Sequence, residues 1–119
     1  MVKYHSTNGG KTIAEILPES EIITGPDDLL DIMADAGYHD ANGIVIHEKS
    51  MHKDFFDLQT GLAGEILQKF SNYRMRLAVV GDFSGFDSKS LHDFIRESNN
   101  RGIINFVGSL EDAFSRLGL

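Results

Sequence analysis

Cysteine is absent from the 119 residues, which excludes disulfides, thiolate nucleophiles, zinc ribbons and iron-sulfur clusters together and suits a reducing compartment. Basic residues are scarce: 11 Lys and Arg stand against 18 Asp and Glu, a formal net charge of -7. The mean field therefore repels phosphate backbones. The densest basic stretches, 69–76 and 96–101, form no stripe that would override it, so no nucleic acid partner is expected. No apolar run approaches the ~20 residues of a membrane span, and MVKYHST has neither the basic nor the apolar region of a secretory signal. A cytoplasmic location without a membrane partner is the expectation. Also missing are a Gly-x-Ser-x-Gly nucleophile elbow, a zincin motif, a P-loop Lys-Ser/Thr and a Rossmann glycine pattern. Neither a cofactor nor a catalytic residue is assigned, and an enzyme is the less favoured reading.

What is present reads as an ordered series of elements. Asn8-Gly9 between VKYHST and KTIAEIL predicts a hairpin over residues 2–17 with a type I′ turn. Pro18 closes its second strand, and Thr24-Gly25-Pro26-Asp27-Asp28 starts a helix with proline in the first turn and carboxylates at the positive dipole end. That helix runs to about Gly37, a left-handed stop. Gly43 to His47 is a short apolar strand covered on both faces. A second helix spans about Leu58 to Tyr73, with Leu62, Ile66, Phe70 and Tyr73 on one stripe. Then come strand Arg76 to Gly81, a helix carrying Leu91, Phe94, Ile95 and Ser98 inward and ending at Asn99 to Gly102, and strand Ile103 to Val107. A last helix starts in the capping pair Ser109 and Asp112.

A hairpin followed by helix-strand alternation predicts one α/β domain over residues 1–119, its later strands parallel and joined by crossover helices. Ligands and partners meet such sheets at the carboxyl ends of the parallel strands. That rule selects residues 47–61, 81–90 and 107–110.

The runs FFDLQTGLAGEILQKFSNY, RLAVVGDFS, SLHDFIRESN and INFVGSLEDAF resemble domain of unknown function 4180, a prokaryotic family that implies no activity. More distantly, a strand, a linker and then QTGLAGEIL are similar to the STAS domains of anti-sigma factor antagonists. In those domains an Asp-Ser-Ser-Gly-Leu stretch opens the helix after the central strand, and its second Ser is a phosphorylation switch. Here Leu58-Gln59-Thr60-Gly61-Leu62 stands in that place. Thr60 falls on the switch serine, while the Asp lies one residue early, at Asp57. The resemblance implies a STAS-like regulatory protein-interaction module in which Thr60 is a candidate phosphorylation site.

The candidate contact surface comprises Phe55, Phe56, Asp57, Thr60, Gly61, Phe83, Ser84 and Phe86, its phenylalanines an exposed or half-buried apolar rim suited to an unidentified protein partner or to a second copy in a homodimer. Without modification, Thr60 is accounted for as a helix cap worth about 1 kcal/mol, and Gly61, Ala63 and Gly64 as points of close packing. The alternative is a small-molecule-binding protein or minor enzyme in which His47, His52, Asp54, Asp57 and Asp82 converge at the strand ends. The first four have ligand types suited to zinc or iron, at a spacing that matches no established site, so no metal is assigned.

Overall fold

The computed structural model describes residues 2–18, 23 and 25–118. Its hairpin pairs β1 (Val2–Ser6) with β2 (Thr12–Ile16) in antiparallel register, Val2 opposite Ile16 and Ser6 opposite Thr12. The turn is not the expected type I′. The Gly10 N–H donates to the Thr7 carbonyl at 3.0 Å and the Thr7 N–H to the Lys11 carbonyl at 2.8 Å, and Gly10 alone takes a positive φ, 80°. The second glycine lets the left-handed position fall after the turn, which spares Asn8 a conformation that a side chain resists.

Helix α1 (Pro26–Tyr38) starts as its sequence dictates, with Pro26 in the first turn and the Asp28 carboxylate accepting the Gly25 N–H at 3.3 Å. Thr24, read as part of that start, lies outside the described residues. Gly37 is not the left-handed stop. It sits inside the last turn, and Asp40 takes the positive φ at 59°, a region that Asp tolerates better than most side chains.

Strands β3 (Gly43–His47), β4 (Arg76–Val80) and β5 (Ile104–Val107) complete a five-stranded sheet of order β1-β2-β3-β4-β5, parallel from β2 onward. Helices α2 (Leu62–Asn72), α3 (Lys89–Arg101) and α4 (Leu110–Leu117) follow β3, β4 and β5. The period of two along each strand divides the core. Ile44, Ile46, Leu77, Val79, Ile104 and Phe106 meet residues of α1, α2 and α3 on one face, whereas Ile13, Val45, Ala78 and Val107 meet Ala113 and Leu117 of α4 on the other. Three helices cover one face and a single eight-residue helix covers part of the other.

The segment read as one helix from Leu58 is broken. Leu58–Thr60 forms a 3₁₀ turn, Gly61 takes φ 79°, and α2 begins only at Leu62. A residue at positive φ cannot continue a right-handed helix, and glycine adopts that conformation at least cost. At the far end Tyr73 lies beyond the helix and is 63 % exposed, so it is not on the buried stripe.

Candidate functional site

Between β3 and α2 the chain makes three short 3₁₀ turns, Glu48–Ser50, Lys53–Phe56 and Leu58–Thr60. The Thr60 hydroxyl lies 2.6 Å from the Asp54 carbonyl and 2.8 Å from the Asp57 carbonyl, and accepts the Leu62 N–H at 3.3 Å. Its work is local: one hydroxyl ties two turns together and satisfies a free N–H at the start of α2. The Asp57 carboxylate accepts the Gln59 N–H at 3.1 Å. Thr60, Gly61 and Asp57 are all exposed at this corner.

Of the four phenylalanines read as an exposed or half-buried rim, two are half-buried and two turn inward. Phe55 is fully buried and Phe56 is 8 % exposed, while Phe83 and Phe86 are half-buried. Phe56 stacks on Phe86 with centroids 4.9 Å apart, and Phe55 stands edge-on to Phe56 at 5.1 Å. Phe106 of β5 collects Phe55 at 6.0 Å, Phe83 at 5.2 Å and Phe94 at 6.2 Å. These rings lock the post-β3 turns to the β4–α3 loop and to α3, with aromatic pairs worth about 0.5–1.5 kcal/mol each beyond burial. Phe55 has no surface left to offer a partner. What the cluster leaves open is a cleft of about 390 Å³ lined by Phe56, Asp57, Leu58, Gln59, Ser88 and Ser90. Ser88 caps α3 by accepting the Leu91 N–H at 3.1 Å.

The other predicted side chains turn to separate tasks. Ser84 donates its backbone N–H (3.0 Å) and its hydroxyl (2.7 Å) to one Asp82 oxygen. Those bonds hold the exposed Asp82 carboxyl below the usual carboxylate range. His52 accepts the Asp54 N–H at 3.1 Å through Nδ1, and His47 turns to β2. The five acids and histidines read as a convergent set do not converge: His52 Nδ1 and an Asp54 carboxylate oxygen lie 3.6 Å apart, but Asp82 holds an Asx-type turn, Asp57 caps another turn and His47 lies on a sheet face. Among the described residues no group of three or more His, Asp or Glu is arranged to hold a metal ion.

Sequence reading missed a different cluster. Glu15, 5 % exposed on β2, has one carboxylate oxygen 2.8 Å from His5 Nε2 and the other 2.7 Å from His47 Nε2. Strand register builds it. Ile13 pairs with His5 on one side and Val45 with Glu15 on the other, so the two imidazoles reach Glu15 along opposite diagonals on the face that α4 only partly covers. Burial raises the Glu15 pKa, but the hydrogen bonds and charges of His47 and His5 outweigh it and hold the carboxyl below its ordinary value. An ionised carboxylate only accepts, so both Nε2 atoms that face it carry protons. Protons between the groups leave Glu15 acting on two histidines as an orienting carboxylate rather than as a metal ligand. The one local hint was a glutamate in the otherwise apolar strand TIAEI.

Among the described residues the large exposed hydrophobic side chains, Tyr38 (84 %) and Tyr73, lie elsewhere. Tyr38 ends α1 and Tyr73 follows α2, on the connections that lead into the amino ends of β3 and β4, away from the cleft. A family model described as Domain of unknown function (DUF4180) matches residues 8–117. No curated protein and no solved structure matches the chain.

Proposed function

The chain belongs to the Domain of unknown function (DUF4180) family, and from that premise we propose that it is a STAS-like, non-enzymatic regulatory module that receives a protein partner at the cleft between residues 56–59 and 88–90. The observation that carries this reading is the character of the cleft. It opens beyond the carboxyl ends of β3 and β4, its apolar wall comes from Phe56 and Leu58, and its rim carries the single carboxylate of Asp57, the amide of Gln59 and the hydroxyls of Ser88 and Ser90. Such a rim orients a docked segment without supplying an acid-base pair. The aromatic cluster beneath it pre-organises the wall, which lowers the entropy lost on docking. Phosphorylation at exposed Thr60 belongs to the same proposal: it would remove the hydroxyl proton shared with the Asp54 and Asp57 carbonyls and add negative charge beside two carboxylates.

A photo-crosslinking residue placed at Ser90 should trap one protein species in the native host, and Gln59→Arg should abolish that trapping while leaving the melting temperature unchanged. Equal trapping from a crosslinker at Tyr38, or trapping indifferent to Gln59→Arg, rejects the cleft as the docking face. A homodimer through the same cleft would appear instead as crosslinked chain in the purified protein.

A further inference from the structure

A second cavity, of about 430 Å³, lies on the other side of the sheet between the β1–β2 turn and α4, and His5, Ser6, Thr7, Glu111, Phe114 and Ser115 contribute to its wall. Its chemistry is lopsided. Neither lysine nor arginine lines it. Glu111 brings a carboxylate, Ser6 and Ser115 bring hydroxyls, and Gly118, which caps the negative end of the α4 dipole, lies on its edge. Phe114 adds an aromatic ring 4.8 Å from the His5 imidazole.

His5 completes the bias. Its Nε2 proton is committed to Glu15 at 2.8 Å, and Nδ1 has no hydrogen-bond partner among the described residues. In its neutral form a ring held in this way keeps its lone pair on Nδ1, and His5 lines the cavity. Thr7, Asn8 and Gly9 also line it, so the wall offers donors as well as acceptors, but a carboxylate and an aromatic face with no cationic side chain suit a cation carrying several N–H donors. The formal charge of -7 on the whole chain raises the local concentration of such cations.

We infer that this cavity is a binding site for a small primary ammonium compound, held by the Glu111 carboxylate, the Phe114 ring and the His5 imidazole that Glu15 orients. The site is independent of the cleft on the opposite side of the sheet and does not depend on a protein partner there.

The test titrates the full chain with n-butylammonium chloride at constant ionic strength and follows the His5 and Phe114 side-chain resonances by NMR, with n-butanol and sodium butyrate as neutral and anionic counterparts. Butylammonium should shift both residues saturably, and the other two should not. Glu111 is exposed, so Glu111→Gln should fold normally and weaken binding by about fivefold, the scale of one solvent-screened ion pair. Three results overturn the inference: no shift at His5 up to ~50 mM, where even a weak site fills; equal saturation by butanol, which marks a merely apolar cavity; or an unchanged titration in Glu111→Gln.

Discussion

Glu15 sits almost out of reach of water in the middle of a strand, where an unpaired carboxylate would be neutralised or expelled. Two imidazole N–H donors, one for each oxygen, permit it to stay ionised. Its folded pKa lies below the unfolded one, so its contribution to stability is present above the ordinary carboxylate range and is lost as pH falls through the lowered value. Glu15→Gln leaves one imidazole facing an amide NH₂ and should cost about 1–3 kcal/mol at pH 7. Urea melts of the two proteins should converge in acid; a gap that persists at low pH would show that the loss is steric. Tyr4, on the other face, donates to Asp35 at 2.7 Å, and burial together with that carboxylate pushes its pKa to about 12.

At the scale of elements, the two glycines around the start of α2 have opposite roles. Gly61 at φ 79° has nothing within 4 Å of where a Cβ would sit, so Gly61→Ala should lose about 1–2 kcal/mol through backbone strain alone. Gly64 is also exposed with open space around it, but it lies inside the helix. Gly64→Ala should therefore gain roughly 0.5–1 kcal/mol. Chemical denaturation of the pair reads both signs, and a loss at Gly64 would mean that its missing side chain serves contact with another molecule. Sequence spacing located most elements because caps and periodicity are local: Pro26, Ser109 and Gly102 mark helix ends where expected. Asn99 shows what local reading leaves out. Read as part of a helix stop, it also hydrogen-bonds both the N–H (2.7 Å) and the carbonyl (3.2 Å) of Phe106, closing part of the exposed edge of β5 as another strand would.

For the whole molecule, the aromatic cluster is the joint between the sheet and the proposed docking corner. Phe55 is fully buried and touches both Phe56 and Phe106. Phe55→Ala should cost about 3–5 kcal/mol and loosen residues 53–60 before the sheet opens, seen as faster amide exchange there than in β3 and β4. Equal acceleration everywhere would mean that the corner has no separate stability. No described helix is long and apolar enough to cross a membrane. The sequence by itself determined the α/β alternation, the parallel central strands and the end of the sheet where the cleft opens, because periodicity, capping and chain connectivity act over a few residues or one crossover. Tertiary structure alone decided that Phe55 and Phe56 turn inward, that His47 leaves the predicted His/Asp cluster, and that residues 5, 15 and 47 meet, because strand register and ring packing join positions that no local pattern relates.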